Sequence, residues 1–119
     1  MLLSDIRNEL SATVLTNEAE EALATREINT ACGCDLMSDV LAFVKDSAML
    51  LTGLLNSQVI RTAEMMDIKA ICFVRGKTPA ADVVRLAGEC GITILTTHYP
   101  LYSACGILYS NGLRSDLND

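Results

Sequence analysis

The hydrophobic pattern of residues 48–74 predicts a strand, a helix and a second strand in succession. Apolar residues run without alternation through 49–51 and again through 71–74, which is typical of strands in a parallel sheet that helices cover on both faces. Between these runs, apolar side chains recur at helical spacing and polar ones take the opposite side; the apolar set is Val59, Ile60, Ala63 and Met66. This pattern predicts a βαβ unit with a right-handed crossover.

The chain then continues with a further helix and strand. Residues 75–77 are predicted to turn, with Thr78 as the N-cap and Pro79 at the first position of a helix that runs to about Cys90. Gly91 is placed to end this helix in the left-handed conformation. Residues that follow this glycine form the next buried strand, at 92–95.

A final helix is predicted over residues 98–111. Pro100 is tolerated in its first turn, and Gly112 lies just beyond its last turn. The polar tail at 114–119 is expected to fray.

The first part of the chain has shorter elements. Ser4 is the predicted N-cap of a short helix that ends near Ser11, and residues 12–15 form a strand. An acidic turn or short helix follows, which we interpret as wet surface rather than a cation site; its acids are Glu18, Glu20 and Glu21.

Residues 26–34 can be extended, and Asp35 is the predicted cap of the helix that follows them. The apolar stripe of this helix is Leu36, Met37, Val40, Leu41 and Val44. Together the elements predict an α/β fold, a three-layer α/β/α single domain over residues 1–119 with a mostly parallel sheet built from βαβ units. Whether the early strands are antiparallel additions is left open.

The net charge, the first residues of the chain and the length of its apolar runs indicate which partners and which compartment to expect. The formal net charge of −6 disfavours nucleic acid, because binding to phosphates needs clustered Lys and Arg. No basic region precedes the first apolar residues, and no apolar run approaches the roughly 20 residues that span a bilayer. We therefore expect a cytoplasmic protein without membrane contact.

The cysteines form an odd, scattered set, which favours reduced thiols; they are Cys32, Cys34, Cys72, Cys90 and Cys105. Three of them lie in apolar patterns and are interpreted as small buried residues. Cys32 and Cys34 could project to one face of an extended segment and join a metal or redox site. Because His98 is the single histidine, structural thiols are the preferred interpretation, and no metal is expected.

Candidate ligand-binding residues follow three predicted strands. Ligands of open α/β sheets gather at the carboxyl ends of the strands, where glycines, hydroxyls, cations and helix starts can form an anion or phosphate pocket. The candidates are Thr52, Gly53, Arg75, Gly76, Lys77, Thr96, Thr97, His98 and Tyr99. The alternative is that each loop merely turns the chain and caps its helix.

Catalytic patterns are weak. Residues 76–78 imitate the end of a P-loop, but the first glycine of that motif would have to stand at Ile71, inside a strand. No acid is expected at the carboxyl ends of the strands, because Asp67 and Glu89 lie at the opposite ends of helices and Asp82 on a solvated turn. We therefore expect no enzyme activity and no cofactor.

Residues 50–113 resemble the DRTGG domain, and residues 28–43 resemble the segment that precedes it in stand-alone members. Three motifs in order carry the resemblance: strand-Thr-Gly-helix, strand-Gly-Lys-x-Pro-helix and strand-Thr-x-x-Tyr-x-x-Tyr-helix. Leu54 and Leu55 stand where the family often has Asp-Arg, and Arg75-Gly76 replaces its Gly-Gly pair.

The family is similar in fold to the N-terminal domain of HPr kinase/phosphorylase and, more remotely, to the first domain of some peptidoglycan-building ligases. It also occurs between CBS domains of regulated pyrophosphatases, as non-catalytic paired domains. The resemblance implies a regulatory or assembly module and a homodimer.

Our leading hypothesis is a non-catalytic domain that self-associates and signals to an unidentified partner protein. Its predicted association surface is Leu54, Leu55, Met65 and Met66, although all of these could instead be internal core. The alternative is a sensor that holds a nucleotide or phosphorylated metabolite at the carboxyl ends of the strands.

Overall fold

The computed structural model of the protein describes residues 1–43 and 47–115. Helices and strands alternate in this range, beginning with a helix. In chain order they are α1 (Leu3–Glu9), β1 (Thr13–Val14), α2 (Glu20–Thr25), β2 (Thr30–Gly33), α3 (Met37–Phe43), β3 (Ala48–Thr52), α4 (Ser57–Met65), β4 (Ala70–Phe73), α5 (Ala81–Glu89), β5 (Thr93–Thr96) and α6 (Leu101–Ser110).

The sheet has five strands in the order β1-β5-β4-β3-β2. Strands β2 to β5 are parallel, and Leu50 of β3 lies between Cys32 of β2 and Ile71 of β4. Strand β1 pairs antiparallel with β5, with Thr13 opposite Thr96. These pairings confirm the predicted α/β fold with a mostly parallel sheet, and they resolve the early strands: β1 is antiparallel and β2 is parallel.

The two faces of the sheet are covered by different helices. Side chains of a strand alternate, so Leu50 and Ile71 lie in a core with α3, α4 and α5. Met49, Leu51 and Cys72 lie in a second core with α1, α2 and α6. Because both faces are buried, the central strands have unbroken apolar sequences.

The start of α1 corrects the assignment of Ser4 as its N-cap. The helix begins at Leu3, and the residue at the N-cap is Leu2, whose side chain offers no hydrogen bond. Leu2 pairs with Glu27 in an antiparallel bridge, and the Leu3 N–H donates to the Arg26 carbonyl at 2.9 Å. Backbone pairing with a distant segment therefore sets this start.

The starts of α5 and α6 are also later than predicted. Thr78 and Pro79 lie outside α5, which begins at Ala81 after an extended Ala80. The Pro79 side chain is buried, so it anchors the loop against the core before the helix begins. Helix α6 begins at Leu101, with the preceding proline at the N-cap.

Helix α3 differs from its predicted form at both its cap and its stripe. It begins at Met37, so Asp35 is not its adjacent cap. Met37 and Val40 are buried, but Leu36 and Leu41 are exposed, because α3 is the outermost helix of its layer and packs against α4. Val44 lies outside the described residues.

The acidic segment at residues 18–21 is less exposed to solvent than predicted. Glu20 and Glu21 are exposed in the first turn of α2, and Glu20 pairs with Arg7 at 2.7 Å. Glu18, in contrast, is half-buried and lies 3.5 Å from Arg26. The segment is thus a short helix that is joined to basic residues of its own chain.

Two predicted helix ends are confirmed. Gly91 has φ +73° after α5, and Gly112 has φ +97° after α6, the left-handed conformation that favours glycine. Residues 116–119 of the predicted tail lie outside the described residues. Among the helices that the structure describes, none is long and apolar enough to cross a membrane.

Candidate functional site

The carboxyl ends of β2, β3, β4 and β5 lie at one side of the sheet, which we call the carboxyl edge. The last residues of β3 and β5, together with the loops after β3, β4 and β5, bring all predicted ligand-binding residues to it, namely Thr52, Gly53, Arg75, Gly76, Lys77, Thr96, Thr97, His98 and Tyr99. The loop after β2 ends at the same edge, because β2 is parallel to β3, and it adds Asp35. The expectation that no acid lies here was wrong.

Asp35 joins the loops after β2 and β3. Its Oδ1 accepts hydrogen bonds from the Thr52 hydroxyl at 2.8 Å and from the Gly53 N–H at 2.7 Å. The bond from Gly53 contributes most to holding the Asp35 pKa below its usual value, followed by Thr52 and then by the charges of Lys77 and Arg75. Asp35 is therefore an ionised acceptor near neutral pH.

Lys77 joins the loops after β3, β4 and β5. Its Nζ donates to the Gly53 carbonyl at 3.2 Å, and its own carbonyl accepts from the Thr96 hydroxyl at 2.7 Å. A Cβ placed on Gly53 would lie 3.5 Å from this Nζ, so the ammonium group rests directly against the glycine. Lys77 acts here as a connector between loops.

The turn after β4 has two left-handed residues in succession. Arg75 has φ +61° and Gly76 has φ +68°, and the Lys77 N–H closes the turn on the Val74 carbonyl at 3.2 Å. The conformation suits Gly76 but costs about 1 to 2 kcal/mol at Arg75, which has a Cβ. The turn therefore stores strain at an exposed arginine.

The same turn is bonded to the segment that leads into α6. The Arg75 N–H donates to the Tyr99 carbonyl at 2.9 Å, and the Gly76 N–H donates to the Thr97 carbonyl at 2.7 Å. His98 Nδ1 lies 3.7 Å from the position of a Cβ on Gly76. The position of the β4 turn and the position of the α6 start are thus coupled.

The predicted hydroxyl donors are already engaged by the protein. Thr97 is buried and donates to the Leu10 carbonyl at 2.7 Å, while Thr52 and Thr96 make the bonds described above. The exposed side chains at the carboxyl edge include those of Asp35, Arg75, Lys77, His98 and Tyr99. The edge therefore offers two cations and one carboxylate to a ligand rather than free threonine hydroxyls.

The cysteine pair has no metal-binding geometry. No group of three or more His, Cys, Asp or Glu side chains in residues 1–43 and 47–115 is placed to hold a metal ion. Burial raises the pKa of Cys32 to about 11, which keeps its thiol protonated, and the Cys34 thiol is bonded to the backbone of Leu36 at 3.3 Å. Of the three cysteines predicted to be buried, Cys72 is buried, whereas Cys90 and Cys105 are half-buried.

The predicted association surface is mostly internal. Leu54, Leu55 and Met66 are half-buried against the core beneath α4 and α5. Met65 alone of this set is 74% exposed. These four side chains therefore do not form a continuous apolar patch.

A different apolar surface lies on α6, which we call the α6 face. It consists of Tyr102, Gly106 and Tyr109, which share one side of the helix at spacings of four and three residues. Tyr102 is 91% exposed and Tyr109 is 42% exposed. A shallow groove runs along this face, and among its described lining residues Arg75 is the single charged one.

Sequence reasoning missed both Asp35 and the α6 face. Asp35 could have been found by taking residues 26–34 as a parallel strand, which would carry the following loop to the carboxyl edge. The signal for the α6 face was a ten-residue helix with no charged residue, a composition that a surface helix rarely has.

Comparison with solved structures supports the fold. The chain is similar to the CBS and DRTGG domains of the regulatory region of Clostridium perfringens pyrophosphatase, a structure complexed with the activator diadenosine tetraphosphate. The TM-score is 0.72 at 16% sequence identity, and the match covers 97% of this chain and 51% of that chain. This chain therefore spans about half the length of that structure.

No family model matches the sequence, and a search of curated proteins gave no match. At 16% identity the structural likeness shows a shared fold, an α/β domain of the kind found in that CBS and DRTGG region.

Proposed function

We propose that the chain is a non-catalytic regulatory domain that self-associates and signals to a partner protein. The observation that carries the proposal is the α6 face, which begins directly after the loops of the carboxyl edge and whose own residues are uncharged. Two arginines border it: Arg75 lines its groove, and the Arg114 guanidinium lies over the Tyr109 ring. An exposed aromatic face on a helix is a common feature of protein contact surfaces. The regulatory region of the similar pyrophosphatase supports a regulatory role as well.

The carboxyl edge supports the non-catalytic part of the proposal. General acid–base catalysis works best with a group whose pKa lies near the operating pH, whereas two hydrogen bonds hold the Asp35 pKa below its usual value. Lys77 is bonded to the Gly53 carbonyl, and His98 is exposed. The polar groups of the edge thus join loops to one another.

The bonds between the β4 turn and the α6 start provide a route for a signal. A shift of the turn at Arg75 and Gly76 would move the carbonyls of Tyr99 and Thr97, and hence the start of α6. Binding of a ligand at the carboxyl edge would then change the affinity of the α6 face for another protein. By thermodynamic linkage, protein binding at the α6 face would change the affinity for the ligand by the same factor.

Light scattering at micromolar concentration tests self-association. The proposal expects a mass that rises above the 12.8 kDa of one chain as concentration increases. A mass that stays at one chain throughout the micromolar range would contradict it.

The second candidate function is a sensor of a nucleotide or phosphorylated metabolite. The observation that favours it is Arg75, an exposed cation held in a strained left-handed turn beside Lys77. Strained residues cluster at ligand sites, where surrounding structure holds them in place. An anion at this edge would meet both cations and the main chain of a glycine turn.

Thermal-shift assays with ATP, ADP and diadenosine tetraphosphate test the sensor. A ligand present at 100 times its Kd stabilises the native state by about 2.7 kcal/mol, a readily measured rise in Tm. Arg75→Ala and Lys77→Ala should abolish the rise, while Arg85→Ala on α5 should leave it unchanged. A shift that survives in both edge variants would show that the ligand binds elsewhere.

A further inference from the structure

The α6 face has an arginine at each of its ends. Arg75 lines the groove near the start of the helix, because its N–H is bonded to the Tyr99 carbonyl just before α6 begins. At the other end, the Arg114 guanidinium lies 3.7 Å from the centre of the Tyr109 ring and donates to the Tyr109 carbonyl. The face therefore combines exposed aromatic rings with positive charge at both ends.

These two arginines lack the acidic partners that other cations of the chain have. Salt bridges join four basic side chains to acids of the same chain, and the pairs are Arg7 with Glu20, Arg26 with Glu18, Arg61 with Glu64 and Lys69 with Asp67. Within residues 1–43 and 47–115, no acid forms a salt bridge with Arg75 or Arg114. In a chain with a net charge of −6, both are therefore available to a carboxylate from outside.

Acids of the chain near α6 are held outside the groove. At the carboxyl edge, Asp35 Oδ1 is bonded to the Thr52 hydroxyl and the Gly53 N–H. Glu9 of α1 accepts from the Asn111 side chain, just after α6, at 3.5 Å. Among the described residues that line the groove, none is acidic. A carboxylate that enters the groove is therefore attracted by the arginines without repulsion from its walls.

The middle of the groove suits an apolar side chain. A Cβ on Gly106 would meet no heavy atom within 4 Å, so open space lies between the Tyr102 and Tyr109 rings. Leu101 and the half-buried Cys105 add apolar surface to the groove. An aliphatic or aromatic side chain placed here would remove its own surface and that of the rings from water.

The length of α6 sets the spacing of charges in the occupant. The helix has 10 residues and is therefore about 15 Å long. An extended chain advances about 3.3 Å per residue, so about five residues reach from one end of α6 to the other. The backbone N–H and C=O groups of such a segment are unpaired and can bond to the hydroxyls of Ser103 and Ser110, which line the groove.

We infer that the α6 face binds a short, extended, acidic segment of another protein. Carboxylates at the two ends of the segment pair with Arg75 and Arg114, and an apolar side chain in its middle lies over Gly106. The inference rests on the proposed signalling to a partner protein, to which it assigns a surface and a chemistry, and it does not depend on self-association.

Fluorescence anisotropy of a labelled peptide, GEAFLAEG with blocked termini, tests the inference on the full chain. The peptide places two glutamates five residues apart around a central Phe-Leu pair. We expect a Kd of about 10 to 100 μM, because the contact is smaller than the roughly 800 Å² per partner of a standard interface. Salt screens the two ion pairs, so binding should weaken by about threefold or more between 50 and 500 mM NaCl.

Charge reversal at each arginine tests the ends of the segment. Arg75→Glu and Arg114→Glu should each weaken peptide binding about fivefold or more, because an attraction becomes a repulsion. Arg85→Glu is the matched control, since Arg85 is an exposed arginine on α5 and its reversal changes the net charge by the same amount. It should leave the Kd unchanged, as should replacing the chain by none of these variants but the peptide by its lysine form, GKAFLAKG, abolish binding.

A leucine at Gly106 tests the middle of the segment without changing charge. Gly106→Leu fills the open space between the rings and should weaken binding about fivefold or more, as loss of a central contact does. Gly88→Leu is the matched control, because Gly88 is likewise an exposed helical glycine with no heavy atom near its Cβ position. It should leave the Kd unchanged, and circular dichroism confirms that each variant is folded.

The outcomes separate the inference from the proposed self-association. Peptide binding that both arginine variants and Gly106→Leu weaken, and that the two α5 variants do not, supports the inference. No binding at millimolar peptide, equal binding of the lysine peptide, or binding that survives both arginine reversals overturns it. A loss as large in Arg85→Glu also overturns it, because the net charge would then be the cause. Light scattering measures self-association without the peptide, so failure of one result is distinguishable from failure of the other.

Discussion

Helices α5 and α6 follow adjacent parallel strands, yet their outer sides differ in chemistry. The outer side of α5 is charged and carries Asp82, Arg85 and Glu89. The outer side of α6 carries two tyrosines and a glycine, and the helix has no charged residue. Both helices bury their inner sides against the same sheet, so the requirement for a core does not explain the difference.

The comparison shows how the outer side of each helix interacts with water once the core has formed. Water solvates the charged outer side of α5, so this side needs no further contact. The side of α6 gains little from water, and its rings would lose exposed apolar surface on contact with another protein. Since Gly88 and Gly106 occupy similar open positions on the two helices, the pair provides matched sites for experiments.

The largest expected effect concerns how α6 is seated on the sheet. A Cβ on Gly33 would lie 2.4 Å from the Cys105 Sγ, so Gly33→Ala forces α6 or its cysteine to move and should lower the free energy of unfolding by about 1 to 3 kcal/mol. Urea denaturation followed by circular dichroism measures this loss. Adding Cys105→Ala should recover part of it, and an unchanged loss in the double variant would mean that the cysteine is not the obstacle.

An intermediate effect separates the two helices directly. Gly88→Ala and Gly106→Ala should each raise the free energy of unfolding of the monomer by about 0.5 to 1 kcal/mol, because alanine is the better helix residue and both sites have room for its methyl group. At concentrations where the chain self-associates, Gly106→Ala should gain less, since its methyl group lies on the α6 face. If the two variants gained the same free energy of unfolding at all protein concentrations, the α6 face would not differ from the outer side of α5 in self-association.

The smallest expected change in the free energy of unfolding comes from a substitution at the carboxyl edge. This edge is held by polar hydrogen bonds, in contrast to the aromatic α6 face. Because the folded-state pKa of Asp35 is depressed, its contribution is complete above the unfolded pKa of about 3.9 and is lost as pH falls through the folded value. Asp35→Asn should therefore cost less than about 1 kcal/mol above pH 4, since the group is exposed.

That difference from the wild type should vanish at lower pH, as pH-dependent urea denaturation can measure. The dimer mass should be the same for Asp35→Asn and the wild type, because Asp35 lies outside the α6 face. A difference that persists at low pH would contradict the assigned charge interactions.

The fold could be predicted because the central strands carry their own signal. Residues 49–51 and 71–74 are buried on both faces and are therefore apolar without interruption. Helix starts were harder, because the starts of α1 and α5 depend on the backbone bridge at Leu2 and on the burial of Pro79, which are tertiary contacts rather than local capping signals.

The carboxyl edge could be predicted in its residues but not in its bonds. The loops that carry Gly53 and Lys77 were identified from the strands before them, whereas Asp35 entered only because β2 pairs in parallel with β3, a long-range contact. The α6 face was missed for a related reason: an apolar helix pattern does not tell which side the sheet covers. Sequence reasoning placed the association surface at the two ends of α4 instead, where Leu54 and Met66 pack inward.

The most direct test of the central claim, that the chain self-associates, is the mass of the wild-type chain by light scattering at low and high salt. Salt screens the repulsion between two chains that each have a net charge of −6, so at 50 μM the account predicts a rise towards twice the 12.8 kDa of one chain as NaCl increases from 50 to 500 mM. A mass that remains that of one chain at both salt concentrations, or a dimer that dissociates as salt rises, would contradict it.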